Sequence, residues 1–91
     1  MLLFEWDKEK AKANVKNHGV TFEEASTVFN DDLAKVFFDE IHSDDEIREI
    51  LVGYSVKNRM LVVCFTETEQ ERVRIITARE PTKLERRDYE E

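Results

Sequence analysis

The spacing of apolar residues changes along the chain, and each spacing predicts a different element. A short apolar run at Phe4–Trp6 predicts a first strand. From Lys8 to His18 the apolar positions recur every three to four residues, which is typical of a helix. Asp7 is suited to cap its start, and Gly19 to end it. The predicted inward face consists of Ala11, Val15 and His18.

A second helix is predicted immediately afterwards. Thr21 followed by Glu24 has the spacing of a capping box, in which two side chains satisfy free backbone N–H groups at a helix start. An apolar stripe continues behind it, and the helix is expected to stop near Asn30. The stripe consists of Phe22, Ala25, Val28 and Phe29.

The remaining chain has the two-residue period of strands. One strand is predicted around Ala34–Phe38, and three more runs read "REILVGYSV", "RMLVVCFTET" and "RVRIITARE". The short polar links between the last three predict an antiparallel meander of hairpins. Pro81 ends the pairing, and Thr82 with Glu85 forms a second capping box for a short terminal helix.

The predicted order is therefore one strand, two helices, four strands and one helix. This order is typical of an α+β fold in which the helices pack against one face of a mostly antiparallel sheet. A chain of 91 residues has room for one core, so residues 1–91 are expected to form a single domain.

Charge is distributed unevenly along the chain, whose net charge is −7. Residues 22–51 contain ten acidic and two basic side chains, whereas residues 72–87 contain six basic and two acidic ones. Such asymmetry fits a protein that meets a polyanion on one face and a basic partner on another, or an acidic surface that aids solubility. The basic segment is the first place to look for an anion site.

Strict alternation in the last strand would place Arg74 and Arg79 on opposite faces. Arg74, between two apolar residues, is interpreted as either a salt-bridge member or an anion binder. Arg79 stands at the strand end, where its planar fork of donors is accessible to a phosphate.

The terminal helix adds further candidates. Arg86 and Tyr89 are three residues apart and share a face, as do Lys83 and Arg87 four apart. A phenol beside a guanidinium is suited to proton transfer at a phosphate or to stacking on a base, and the alternative is a helix whose Tyr89 only packs.

Three other residues have chemistry of their own. His18 is interpreted either as a favourable side chain at a helix C-terminus or as a proton-transfer group. His42, with Asp39, Asp44 and Asp45, is interpreted as part of a solvated loop, because this spacing fits no zinc or calcium site. Cys64 lies in an apolar run and is interpreted as a buried thiol.

Several classes of function lack support. There is no glycine-rich phosphate loop, paired-cysteine motif, serine nucleophile motif or helical histidine pair, so an enzyme of this sequence is expected to use no metal and no cofactor. The apolar runs are far shorter than the ~20 residues of a membrane span, and the N-terminus does not have the pattern of a signal peptide. A cytoplasmic protein without membrane contact is expected.

Three stretches together resemble the BrnT family of toxins of type II toxin–antitoxin pairs. They are "FEWDKEKAKANVKNHGVTFEEASTVF" at residues 4–29, "RIITAR" at 74–79 and "ERRDYEE" at 85–91. The resemblance extends over nearly the whole chain. Asn17 and Glu80 depart from it, since family members commonly have basic residues at these two positions.

The resemblance implies a RelE-like fold and a metal-independent endoribonuclease that cleaves RNA and inhibits translation. It also implies neutralisation by a BrnA-like ribbon-helix-helix antitoxin, in a complex expected to contain two toxins and two antitoxins. DNA would be bound only through that complex. Catalytic residues carried over are Arg74, Arg79, Tyr89 and His18, and the expected RNA-binding residues are Lys10, Lys83 and Arg86.

A different class of function fits the net charge of −7. Most proteins that bind nucleic acid directly are basic overall, so the chain is alternatively interpreted as a non-enzymatic binding module. In that case it would act as an antitoxin partner and corepressor in promoter autoregulation.

Overall fold

The structure, a computed structural model, describes residues 1–43 and 46–90. Over these residues the predicted order of one strand, two helices, four strands and one helix is confirmed. The elements are β1 (Leu3–Glu5), α1 (Lys8–His18), α2 (Phe22–Thr27) with a 3₁₀ turn (Val28–Asn30), β2 (Lys35–Phe38), β3 (Glu49–Tyr54), β4 (Met60–Glu69), β5 (Arg72–Arg79) and α3 (Lys83–Glu90).

The five strands form one mixed sheet in the order β1-β5-β4-β3-β2. β1 runs parallel to β5, and the other neighbours are antiparallel. The predicted hairpins are confirmed, and their turns contain Asn58 and Glu71 with left-handed φ angles of 60° and 59°. The first strand begins and ends one residue earlier than predicted, so Trp6 follows it. The Trp6 ring packs edge-on against that of Phe22, with 5.9 Å between the ring centroids.

The main core lies between the sheet and the first two helices. Asp7 and Thr21 cap these helices as predicted, each accepting backbone N–H groups. The Glu24 carboxylate does not close the predicted capping box, because it binds Arg59 and Ser55 instead. The buried core residues are Val20, Phe22, Ala25, Val28, Leu51, Leu61, Val63, Phe65, Val73, Ile75 and Ala78.

The predicted inward face of α1 is confirmed for Ala11, which packs against the main core, and is wrong for Val15 and His18. Val15 is 47% exposed and His18 is also exposed, whereas Asn14 is buried. Asn14 donates to the carbonyls of Val20 and Ala78, and it accepts the N–H of Ala78. A polar residue therefore attaches this helix to the sheet, and helical spacing of apolar residues did not reveal it.

The prediction that all helices pack on one face of the sheet is also wrong. Tyr89 of α3 packs with Val52, Met60 and Val62, which alternate along their strands with the main-core residues. The ring centroids of Tyr89 and Phe37 are also 5.4 Å apart. The terminal helix thus covers the face opposite α1 and α2.

A β-bulge in β5 changes which side chains share a face. Thr77 pairs with Cys64 and Ile75 pairs with Phe65, so Ile76 is left without an opposite residue. An extra residue reverses the alternation beyond it. Ala78 therefore returns to the core face with Val73 and Ile75. The predicted separation of Arg74 and Arg79 onto opposite faces is wrong, and both point away from the main core.

Candidate functional site

Three concave sites adjoin at the bulge residue Ile76, which lines all of them. The Arg74 cavity, of about 310 Å³, is lined by Glu5, Trp6, Asp7, Lys10, Arg74, Ile75 and Ile76. The His18 cavity, of about 270 Å³, is lined by Lys10, Ala13, Asn14, Asn17, His18, Ile76 and Thr77. The Arg79 cavity, of about 210 Å³, is lined by Asp39, His42, Arg48, Ile50, Val62, Cys64, Ile76, Thr77 and Arg79.

Shared residues make these cavities one surface, which we call the β5 groove. Lys10 lines both the Arg74 and His18 cavities, and Thr77 lines both the His18 and Arg79 cavities. The groove thus follows the second half of β5, where β1 no longer pairs with it. Four of the predicted site residues lie along it: Lys10, His18, Arg74 and Arg79.

Arg74 is held by a carboxylate from the neighbouring strand. β1 and β5 pair Glu5 with Arg74, and the Arg74 Nη2 lies 2.9 Å from a Glu5 carboxylate oxygen. Arg72 approaches the other oxygen at 3.3 Å. The hydrogen bond from Arg74 is the largest cause of the lowered pKa of Glu5. Both predicted readings of Arg74 therefore remain open: it is a salt-bridge member, and it lines a cavity.

Arg79 forms a two-pronged ion pair with the first turn of α3. Its two terminal nitrogens donate to the Glu85 oxygens at 2.7 and 3.0 Å. Glu85 also accepts the backbone N–H of Thr82, whose hydroxyl accepts the N–H of Glu85, so the predicted capping box is confirmed. Hydrogen bonds from Arg79 and Thr82 lower the pKa of Glu85 to about 2. The helix start thereby fixes the direction of the Arg79 side chain.

Tyr89 is partly buried one helical turn beyond Glu85. Burial is the main cause of the raised pKa of its phenol, and the nearby Glu85 carboxylate adds to it. Arg79 acts on the same phenol in the opposite direction. Tyr89 does not line the three cavities of the groove; it lines a separate cavity with Lys35, Val52 and Met60. At neutral pH the phenol keeps its proton and is a donor.

The other predicted residues lie farther from these cavities. Arg86 forms an ion pair with Glu90 at 3.6 Å, and Lys83 is exposed at the start of α3. Neither residue lines the three cavities described above. Two residues depart from the family pattern. Asn17 lines the His18 cavity and so lies within the groove. Glu80 lines none of the three cavities and lies 3.8 Å from Arg59.

The structure does not combine the arginines into one phosphate-sized site. Arg74 and Arg79 are five residues apart, which corresponds to roughly 15 Å along a strand. They line different cavities, with the His18 cavity between them. Their spacing suits an extended strand of nucleic acid with several phosphates better than a single anion.

Sequence reasoning missed three residues that line the Arg79 cavity: Asp39, His42 and Arg48. The loop that contains Asp39 and His42 was interpreted as solvated, but His42 Nδ1 lies 3.0 Å from a carboxylate oxygen of buried Asp39. The three-residue spacing of this pair was the available signal. Asp44 and Asp45, from the same predicted group, lie outside the described residues. Within the described chain, no three His, Cys, Asp or Glu side chains are arranged to hold a metal.

Comparison with known proteins decides the family. The chain matches the model for the family described as "Ribonuclease toxin, BrnT, of type II toxin-antitoxin system" over residues 6–85. The chain belongs to the BrnT family. The resemblance carried by the three sequence stretches is thereby confirmed.

A solved structure agrees with the BrnT assignment. The crystal structure of the Brucella abortus ribonuclease toxin BrnT is similar to this chain with a TM-score of 0.69 and 21% identity. The match covers 91% of this chain and 100% of that one. At this identity the likeness shows that the α+β fold is shared. A search of curated proteins found no significant match.

A toxin of a type II BrnT pair has an antitoxin partner, because such systems are defined by that pairing. Separately, none of the helices in residues 1–43 and 46–90 has the length and apolar character required to cross a bilayer.

Proposed function

We propose that this BrnT-family chain is a toxin with a RelE-like fold that cleaves RNA in the cytoplasm and thereby inhibits translation. The observation that carries the proposal is the β5 groove. It gathers Lys10, His18, Arg74 and Arg79 along one surface of a chain whose net charge is −7. A row of cations beside apolar side chains suits an extended, single-stranded polyanion.

The proposed reaction needs neither a metal nor a cofactor, because RNA supplies its own nucleophile. The 2′-hydroxyl attacks the adjacent phosphorus, and the protein moves protons and stabilises the charge of the crowded intermediate. In this scheme Arg79 lies at the reacting phosphate, held in place by Glu85. One well-placed donor of this kind contributes about 3 kcal/mol to transition-state stabilisation.

The two proton-transfer candidates differ in environment. The raised pKa of Tyr89 keeps its phenol protonated, so this residue is proposed as the acid that donates to the leaving 5′-oxygen. His18 is exposed and lines the middle cavity, where it would contact the RNA as it passes between the arginines.

The remaining basic residues are proposed to position the backbone. Lys10 and Arg74 face the same cavity and would hold a phosphate upstream or downstream of the cleaved bond. Lys83 and Arg86 lie on α3 and would extend the positive surface beyond Arg79. These contacts set register along the RNA and carry no base preference.

The partner is proposed to be a BrnA-like ribbon-helix-helix antitoxin, with two toxins and two antitoxins in the complex. DNA would be bound through the antitoxin alone. Co-expression followed by size-exclusion chromatography with light scattering tests this, since the proposed assembly elutes as one species of two-plus-two mass. Separate elution of the two chains at micromolar concentration would contradict it.

The edge strand β2 is proposed as the surface that receives the antitoxin. In the described chain its inner edge pairs with β3 and no strand covers its outer edge. Val36 and Phe38 are 54% and 57% exposed. Their side chains lie on the face of β2 opposite to that of Phe37. The exposed acidic residues Asp32 and Glu40 lie before and after this strand in the sequence. An extended segment with apolar and basic residues would complement this edge in shape and charge.

One observation favours a second function. Arg72, Arg74 and Arg79 already form ion pairs with carboxylates of this chain. These internal anions reduce the positive field that an RNA would meet, as do the net charge and Glu80. The alternative is a non-enzymatic binding module that acts as antitoxin partner and corepressor in promoter autoregulation.

RNA cleavage in the presence of EDTA separates the two functions. Wild-type protein is expected to cleave, Arg79→Ala to be slower by about 100-fold, and Arg74→Ala by about 10-fold. Lys12→Ala, which removes a cation of α1 outside the groove, is expected to keep the wild-type rate. Absence of wild-type cleavage, with or without ribosomes, would contradict the enzyme. Equal rates in all variants would contradict the assignment of the arginines.

A further inference from the structure

The loop after β2 contains a pair of side chains with the geometry of an oriented base. His42 Nδ1 lies 3.0 Å from a carboxylate oxygen of Asp39, and the backbone N–H of His42 donates to the other oxygen at 3.3 Å. The Asp39 side chain is 8% exposed, whereas that of His42 is 60% exposed. The carboxylate is therefore held inside the protein and the imidazole faces outwards.

This pairing fixes the tautomer of the imidazole. Burial alone raises the pKa of Asp39, but hydrogen bonds from the His42 ring and backbone outweigh it, and the pKa lies below its usual value. An ionised carboxylate has no proton to donate, so Nδ1 must carry the hydrogen that joins the two groups. Nε2 then has a free lone pair on the side of the ring away from Asp39, and this nitrogen can accept a proton.

The imidazole faces the same cavity as the arginine assigned to the reacting phosphate. His42 and Arg79 both line the Arg79 cavity, together with Thr77 at its junction with the His18 cavity. The other charged or titratable groups that line it are Asp39, Arg48 and Cys64, and Glu46 pairs with Arg48. An anion binder and a proton acceptor thus share a space of about 210 Å³. Of the two proton-transfer residues assigned from sequence, Tyr89 keeps its proton, and His18 lines the neighbouring cavity and not this one.

We propose that His42 is the general base of the ribonuclease reaction and that Asp39 is its positioning residue. This inference rests on the proposed function. His42 Nε2 takes the proton of the 2′-hydroxyl, the O2′–P bond forms, and the P–O5′ bond breaks. The leaving 5′-oxygen takes the phenol proton of Tyr89. The products are a 2′,3′-cyclic phosphate and a 5′-hydroxyl, and proton exchange with water restores both side chains.

Cleavage rates of His42→Gln and Asp39→Asn, measured with EDTA beside wild type, test the proposal. His42→Gln is expected to lose about 100-fold or more in rate, and Asp39→Asn about 10-fold or more, because the amide no longer fixes the tautomer. Glu23→Gln changes an exposed carboxylate of α2, outside the groove, and is expected to cleave at the wild-type rate. Circular dichroism confirms that each variant is folded.

Two further readouts distinguish a base from a structural residue. Binding of a 2′-O-methyl RNA, which has no attacking hydroxyl, is expected to change less than about 3-fold in His42→Gln. The rising acid limb of the rate against pH is expected to disappear in this variant, and added imidazole to restore part of the rate.

The possible failures are distinct. If wild type cleaves and His42→Gln retains its rate within about 3-fold, the assignment of the base is wrong while the ribonuclease stands. If binding of the 2′-O-methyl RNA falls in proportion to the rate, His42 is only an RNA contact. If wild type does not cleave RNA at all, the proposed function itself is overturned, and the role of His42 with it.

Discussion

Asn14 and Ala78 exchange two hydrogen bonds that attach α1 to the last strand. The Asn14 amide nitrogen donates to the Ala78 carbonyl at 2.8 Å, and the Ala78 N–H donates to the amide oxygen at 3.1 Å. β1 pairs with β5 only at residues 72–74, so this stretch of β5 lies beyond the end of β1. The side chain thus takes the place that a neighbouring strand would occupy.

Replacement of Asn14 by alanine is expected to lower the free energy of unfolding by about 2–4 kcal/mol. The change leaves three buried backbone groups without their partner: the carbonyls of Val20 and Ala78 and the N–H of Ala78. Urea denaturation measures the loss. Asn17→Ala, an exposed position of the same helix, should cost no more than about 0.5 kcal/mol. Equal losses in the two variants would contradict the role of the Asn14 amide.

Arg59→Ala is expected to cost about 3–5 kcal/mol of stability, because it leaves the carboxylate of Glu24 buried and unpaired. The Glu24 side chain is 2% exposed and accepts from Arg59 Nε and Nη2 at 2.8 and 2.7 Å. Thermal or urea unfolding gives the value. The matched control is Arg86→Ala, whose partner Glu90 is exposed, with an expected cost within about 0.5 kcal/mol. A small loss in Arg59→Ala would show that the pair contributes little.

Stability is expected to fall as the pH is lowered from about 4.5 towards 2. Hydrogen bonds from Arg59 and Arg79 are the largest causes that lower the pKa values of Glu24 and Glu85 from 4.5 to about 2 in the folded chain. Because the folded pKa lies below the unfolded value, this stabilisation is complete above about pH 4.5 and is lost as the folded groups are protonated. Urea midpoints measured across this range test the trend. Glu24→Gln should show a shallower decline, and a parallel decline would contradict the assignment to Glu24.

Substitutions on the outer edge of the sheet are expected to weaken the antitoxin complex. Val36→Lys and Phe38→Lys add a positive charge and remove apolar contact where a basic, apolar segment is proposed to bind, so the dissociation constant should rise by about 10-fold or more. Isothermal titration with the purified antitoxin measures it. Val56→Lys makes the same kind of change at an exposed apolar residue outside β2. If Val56→Lys weakens the complex as much as the β2 variants, the edge is not the binding surface.

The helix bounds could be predicted because their signals are local. Asp7, Gly19 and Thr21 act on backbone groups within a few residues of themselves. Such caps can therefore be predicted from a short stretch of sequence. The order and period of the strands followed from alternation in the same way. These elements were enough to give the fold class and the position of the basic surface.

What sequence did not predict depends on distant partners. The bulge at Ile76 exists only in relation to the register of β4, so simple alternation put Arg79 on the wrong face. Asn14 is buried against Ala78, which is 64 residues away in the sequence, so no local pattern could indicate the contact. The pairing of Asp39 with His42 is local, but its importance depends on Arg79 from another strand entering the same cavity.

The parallel pairing of β1 with β5 determines when the groove can be completed during synthesis. β1 is synthesised well before its partner at residues 72–74. At ~5–20 residues per second, the ribosome needs several seconds to produce the intervening segment. Until then Glu5 and Lys10 have no Arg74 opposite them, and Asn14 has no Ala78 to bind. A nascent or truncated chain that stops before β5 therefore lacks the groove altogether, and with it any activity that resides there.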